Sequence, residues 1–201
     1  MAQYVVLVNG LPGAGKSTLA GALGPLLGIP VISKDTLKEA MAAAAPGVPA
    51  AAVGPVAAGS MWDLAGAVPG GVLLESWWFR PRDRGFAEAG LRRAGATTAV
   101  EVWCDLPAGL ALDRVRQRDR GDLYDDDRHV REFWDRWAAE AEPLGIGEVL
   151  TVRTDQPVDH AALARRLSTA VEGTVVSPPV RTAAAVARPP APLPNAAAHP
   201  H

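Results

Sequence analysis

The run Gly10-Leu-Pro-Gly-Ala-Gly-Lys16-Ser17 constrains the fold more than any other stretch of the chain. It matches G-x-x-x-x-G-K-[ST] at every fixed position, and its flanks fit. Tyr4–Asn9 (YVVLVN) is a β-branched apolar run that predicts a buried strand. Lys16–Leu27 predicts a helix with Leu19, Leu23, Leu26 and Leu27 on one face. A glycine-rich turn between strand and helix lets backbone N–H groups curl inward toward an anion, and the helix N-terminus adds partial positive charge.

The chemistry expected of this arrangement is binding of ATP with Mg²⁺. Gly10, Leu11, Pro12, Gly13, Ala14, Gly15, Lys16, Ser17 and Thr18 are the expected nucleotide contacts. In such a loop the lysine, Lys16, reaches the β and γ phosphates, and the hydroxyl, that of Ser17, ligates Mg²⁺.

Further along, strand patterns at Pro30–Ile32, Gly71–Glu75, Thr98–Cys104 and Glu148–Arg153 alternate with helical ones. The helices are expected at Thr36–Ala45, Pro55–Val68, Arg82–Ala94, Pro107–Arg120, Arg128–Ala141 and Val158–Val171. That alternation predicts an α/β fold with a parallel sheet. A chain of 201 residues suits one such domain. We expect the domain to occupy residues 1–173. Seven of the 28 residues from 174 to 201 are proline, and most of the others are small, so we expect a disordered tail there.

Composition excludes several classes. A net charge of −2 gives no global reason to bind nucleic acid or an anionic membrane. The single cysteine, Cys104, excludes an intramolecular disulfide, and four scattered histidines give no zinc-type cluster. The longest uncharged stretch, Ala40–Trp62, carries prolines and glycines and makes a poor membrane span. No secretory leader is evident, so the expected location is the cytoplasm.

The loop motif does not by itself choose between kinase, ATPase, GTPase and switch. No Asn-Lys-x-Asp guanine-reading motif is present, and Gly71–Glu75 does not end in the Asp-Glu pair of motor ATPases. A small kinase needs a carboxylate near the acceptor hydroxyl, a metal-organising acid and an arginine-bearing lid. Asp35, just after the second strand, is the candidate for the first, as base and substrate contact. Its alternative role is a helix N-cap. Glu75 ends a buried strand, where a carboxylate is costly unless partnered. It is the candidate behind Mg²⁺, with a structural hydrogen bond as the alternative. Arg114 and Arg118 share a helix face and are the catalytic lid candidates, Arg118 first. The alternative there is a solvated helix balanced by Asp113, Asp119 and Asp122. Trp77 and Trp78 follow Glu75 and are candidates, with Arg80, for the substrate wall; aromatic packing is the competing role. Trp134 and Trp137 are expected in the core.

Leu7–Glu39 (LVNGLPGAGKSTLAGALGPLLGIPVISKDTLKE) resembles the AAA-type small P-loop kinases, a group that includes zeta-toxin and chloramphenicol phosphotransferase-like proteins. Val72–Arg84 and Val102–Arg118 fit the same pattern. The resemblance implies a three-layer P-loop NTPase fold with a five-stranded parallel sheet in the order 2-3-1-4-5. It implies phosphorylation of a hydroxyl at the expense of ATP, and a base or acceptor-contact role for Asp35. It also implies that Arg153–Pro157 borders the adenine. The family usually has Asp where this chain has Glu75. The expected acceptor is a small molecule, with the protein acting as a monomer or homodimer. Two rivals stay open: a polynucleotide 5′-hydroxyl kinase using the arginines at 80, 82, 84, 92 and 93, and a nucleotide-gated binding module with weak ATPase activity.

Overall fold

The computed structural model describes residues 2–118, 121, 123, 124 and 126–173. Five strands are present: β1 (Ala2–Asn9), β2 (Val31–Ser33), β3 (Gly70–Glu75), β4 (Thr98–Asp105) and β5 (Glu148–Arg153). All pair in parallel, in the order β2-β3-β1-β4-β5. This is the order implied by the resemblance. The helices are α1 (Lys16–Leu27), α2 (Lys34–Ala44), α3 (Ala50–Ala67), α4 (Arg80–Ala94), α5 (Ala108–Arg116), α6 (Asp126–Glu140) and α7 (His160–Gly173).

The two-residue alternation of a strand splits the core between the faces of the sheet. Val6 and Val8 of β1 pack with Leu19 and Leu23 of α1 and with Leu163 and Leu167 of α7. Val5 and Leu7 point the other way, into a cluster with Met61, Trp62, Leu91 and Ala94 from α3 and α4. Strands buried on both faces read as continuous apolar runs, which is how Tyr4–Asn9 and Val72–Leu74 read. Gly90 permits the closest approach on the second face. A Cβ there would collide with the indole of Trp62.

Several element boundaries differ from the sequence expectations, each for a local reason. β2 begins at Val31 because Pro30 lacks the N–H that a strand position donates. α3 begins at Ala50 rather than Pro55, and carries Pro55 inside it with Val53 and Ala57 buried. α4 begins at Arg80, with Pro81 in its first turn, where a missing N–H costs nothing. α5 ends at Arg116, short of the expected Arg120, which with Asp119 and Asp122 lies outside the described residues. The expected tail, residues 174–201, lies outside them as well. Leu26 is 53% exposed and does not join Leu19 and Leu23 in the core, because the buried stripe of α1 is Leu19, Ala20, Leu23 and Gly24.

β1 sits between β3 and β4, with β2 and β3 laid down on one side of it and β4 and β5 on the other. That reversal opens a crevice at the carboxyl ends of the strands. Asn9, Glu75 and Asp105 mark those ends.

Candidate active site

The phosphate-loop residues fall into a structural and an open group. Gly10 (φ 147°), Gly13 (φ 85°) and Gly15 (φ 82°) hold backbone conformations that side chains disfavour. At Gly13 a Cβ would also strike the carbonyl oxygen of Ala111. Gly10 donates its N–H to Asn9 Oδ1 (2.8 Å), and Ala14 donates its N–H to the Leu11 carbonyl (3.0 Å). Gly10, Leu11 and Ala14 are tied up within the loop and are not among the residues that line the crevice. Pro12, Gly13, Gly15, Lys16, Ser17 and Thr18 do line it.

The N-terminus of α1 has no side-chain cap and no acid in its first turn. A helix start leaves N–H groups unsatisfied and carries partial positive charge, so it suits an anion. Lys16 stands beside it. Its Nζ donates to the carbonyls of Gly10 (2.9 Å) and Leu11 (3.0 Å). Burial pushes the Lys16 ammonium below its ordinary value, Arg118 pushes it the same way, and Glu75 and Asp35 pull it back.

Glu75 is 3% exposed and accepts the Ser33 hydroxyl at 2.7 Å. The partner is Ser33 because β2 and β3 pair in register at those two residues. Ser33 also accepts the Thr36 N–H (3.5 Å) and is the N-cap of α2. Asp35 thus lies in the first turn of α2, not at its cap, and its carboxylate borders the crevice.

Arg114, near the end of α5, reaches the carbonyls of Gly13 and Thr154, both at 3.4 Å. It so ties the phosphate loop to the turn after β5. Arg118, just beyond α5, lines the crevice with Lys16, Asp35 and Glu75. Trp77 lines it too. Trp78 does not: it is 3% exposed and packs on Trp62 with ring centroids 6.4 Å apart. Asn9 holds the Trp78 backbone, Oδ1 accepting its N–H (3.0 Å) and Nδ2 donating to its carbonyl (3.2 Å). Arg80 is also displaced from the expected wall, since it opens α4 and pairs with Glu142 at 3.0 Å. Arg82 lines the crevice in its place.

Other residues reach the site from outside the phosphate-loop motif. Lys38 lies on the same face of α2 as Lys34, four residues on, and both line the crevice. Lys38 donates to the Leu123 carbonyl (2.7 Å) and lies 4.4 Å from the Tyr124 ring centroid. The Tyr124 hydroxyl donates to Glu39 Oε1 (2.7 Å). His129, Val130, Trp134 and Trp137 come from α6. Trp134 is core as expected, yet one side of it faces the crevice. Glu101 is fully buried in β4 and accepts from Asn9 Nδ2 (3.0 Å) and from the N–H groups of Leu144 and Gly145 (both 2.9 Å). Those three donors explain a buried carboxylate that no motif announces. The whole crevice encloses about 380 Å³. Among the described residues no group of three His, Cys, Asp or Glu side chains could hold a metal, and no helix is long and apolar enough to cross a membrane.

Comparison with solved structures returns the same architecture. A candidate kinase from Chloroflexus aurantiacus superposes with a TM-score of 0.66 at 23% identity, over 83% of this chain and 97% of that one. Kti12 of Chaetomium thermophilum, in complex with ADP-AlF3, gives 0.60 at 16% identity, over 83% and 98%. The APS kinase CysC of Mycobacterium tuberculosis, in complex with AMPPNP and APS, gives 0.52 at 19% identity, over 84% and 97%. The fold is that of P-loop NTPases. No curated protein matches the sequence. Residues 5–144 match the AAA domain family, the stretch that holds the phosphate loop, Asp35, Glu75, Arg114 and Arg118, and the chain belongs to that family.

Proposed function

We propose that this protein is a phosphotransferase, moving the γ-phosphate of ATP to a hydroxyl of a small molecule with the help of Mg²⁺. The observation that carries the proposal is convergence: Lys16, Ser17, Asp35, Glu75 and Arg118 all border one crevice at the uncapped start of α1. Those residues fit the groups the reaction needs. An uncapped helix start flanked by a lysine suits a phosphate chain. The exposed Ser17 hydroxyl and the Glu75 carboxylate are hard oxygen donors of the kind Mg²⁺ prefers. Mg²⁺ held there would supply charge neutralisation on the phosphates.

In this reading Lys16 leaves the loop carbonyls to hold the phosphates, and Arg114 orients the nucleotide from the loop side. Asp35 accepts the proton of the acceptor hydroxyl, and Arg118 offsets charge that builds on the transferring group. Ser33 holds the Glu75 carboxylate in orientation in a buried place. The resemblance of Leu7–Glu39 to zeta-toxin and chloramphenicol phosphotransferase-like proteins supports the assignment at the level of motif spacing. The cytoplasm, where ATP is abundant, is the proposed location.

A small acceptor is favoured over a nucleic acid. Of the arginines that would make a basic stripe, Arg80 pairs with Glu142, Arg82 with Asp83, Arg84 with Glu88 and Arg93 with Asp63. Their charge is largely spent within the protein. A nucleotide-gated module with weak ATPase activity is the second reading; Kti12, which shares the fold, was solved in complex with ADP-AlF3.

The test is the fate of the phosphate. The protein is incubated with ATP, Mg²⁺ and a pool of hydroxylated compounds, and ADP and free phosphate are measured separately. ADP in excess of phosphate, lost in Lys16→Ala, is the expected result. Equal amounts would mean hydrolysis alone and would favour the gated module.

A further inference from the structure

Beneath the crevice lies a polar cluster that the mechanism above does not use; the inference drawn from it rests on that reading for its nucleotide. Asn9 ends β1 and Glu101 stands midway along β4. Both are fully buried, and neither lines the crevice. The Asn9 carboxamide makes all four hydrogen bonds open to such a group. Its Oδ1 accepts the N–H groups of Gly10 (2.8 Å) and Trp78 (3.0 Å). Its Nδ2 donates to the Trp78 carbonyl (3.2 Å) and to Glu101 Oε1 (3.0 Å). Backbone N–H groups can only donate, so they settle which end of the amide is oxygen. Glu101 holds the other end, and is itself held, with Oε1 accepting the Leu144 N–H and Oε2 the Gly145 N–H (both 2.9 Å).

The partners of this pair belong to three walls of the crevice. Gly10 opens the phosphate loop, and its carbonyl accepts the Lys16 ammonium at 2.9 Å. Hydrogen bonds thus run from Glu101 through Asn9 and Gly10 to Lys16. Trp78 follows Trp77, which faces the crevice from the exit of β3. Leu144 and Gly145 follow α6, which supplies His129, Trp134 and Trp137. Gly10 is also wedged from below: its φ is 147°, and a Cβ on it would stand 2.7 Å from the Cys104 carbonyl oxygen. The entrance of the loop is therefore fixed by β4 on one side and by Asn9 on the other. An aspartate of the same shape has no donor for Glu101 or for the Trp78 carbonyl, so only the amide satisfies every partner.

We propose that Asn9, oriented by Glu101, is a positioning residue for the nucleotide site. It fixes the entrance of the phosphate loop against the exit of β3, and so sets where Lys16 and the loop N–H groups meet the phosphates. It acts through Gly10 and touches neither nucleotide nor acceptor.

Calorimetric titration of the full chain with AMPPNP and Mg²⁺ tests this, with Gly90→Ala as a control that strains the core away from the loop. Asn9→Asp keeps both bonds to Oδ1 but sets a second oxygen against Glu101 and the Trp78 carbonyl. It is expected to weaken AMPPNP binding by the folded protein about tenfold. Glu101→Gln, a change that contacts no loop residue, should weaken it about threefold. In the double variant the new amide can donate to the new carboxylate, and AMPPNP should bind about threefold tighter than to Asn9→Asp alone. Gly90→Ala should stay within about twofold of the parent. A stability loss alone would not yield such a rescue of affinity. The proposal is overturned if folded Asn9→Asp binds AMPPNP as the parent does, if Gly90→Ala loses as much affinity, or if the double variant binds no tighter than Asn9→Asp. Should Asn9→Asp not fold, Glu101→Gln decides: weaker binding sustains the proposal and parental affinity overturns it. Failure of the parent to bind AMPPNP would instead take down the proposed function, and this inference with it.

Discussion

Lys16 is a charge held where charge is costly. Burial keeps its ammonium below the ordinary lysine value of 10.5. The unfolded chain therefore holds that proton more tightly than the folded one, and folding is penalised while the folded lysine is protonated. The sign follows: between the depressed folded value and 10.5, stability of the nucleotide-free protein gains from this group as pH rises. Lys16→Met removes both the penalty and the phosphate contact. Its thermal midpoint without nucleotide should equal or exceed that of the parent at pH 7. The stabilisation given by ATP, about 2.7 kcal/mol at a hundredfold excess over Kd, should vanish, which thermal melts with and without nucleotide will read. Ser33 offers a second case. Its hydroxyl serves Glu75 and the start of α2 together. Ser33→Ala should cost about 2 kcal/mol in urea unfolding, from a lost donor to a buried carboxylate plus a weakened cap. Cys104 provides a null case for reactivity: burial pushes its thiol up to about 12. A thiol reagent at pH 8 should leave the native protein unlabelled and label it after denaturation.

Among the elements, the phosphate loop and the α3–α4 pair depend on missing side chains. Gly13 combines a positive φ with the Ala111 carbonyl beneath it. Gly13→Ala should therefore shift the loop and weaken ATP binding by more than tenfold in a direct titration, with far-ultraviolet circular dichroism unchanged. Gly90 makes room for the Trp62 indole. Gly90→Ala overpacks that contact and should destabilise the fold by about 1–3 kcal/mol, with nucleotide affinity in the surviving folded protein unaltered. Element type was legible in these segments because each carries its own period and punctuation. Boundaries were less so. Ser33 took the cap position that Asp35 could have filled, and α3 ran past Pro55, since packing of Val53 and Ala57 outweighs one missing hydrogen bond.

For the molecule as a whole, we expect a chain ended at residue 173 to retain phosphate transfer within about twofold in the coupled ADP assay, because every crevice residue named above precedes that point. A gated module that used the proline-rich segment as its contact would be crippled by the same cut. What the sequence alone determined was everything local: the phosphate loop, whose glycines, lysine and serine act within eight consecutive residues, the alternation of strand and helix, and the acids Asp35, just after β2, and Glu75, at the end of β3. These are legible because neighbouring residues impose the geometry. Tertiary structure decided what depends on distance across the chain. Strand register set Ser33 against Glu75; the turn after β3 sent Trp78 into the core and left Trp77 at the crevice; and Arg80 went to Glu142 while Arg82 faced the site. Lys38 reaches the crevice from α2, Tyr124 from the segment before α6, and His129 and Trp137 from α6, and Glu101 finds its donors more than forty residues away. No local pattern encodes such meetings, because they are chosen by how apolar faces pack and by the need of each buried polar group for a partner.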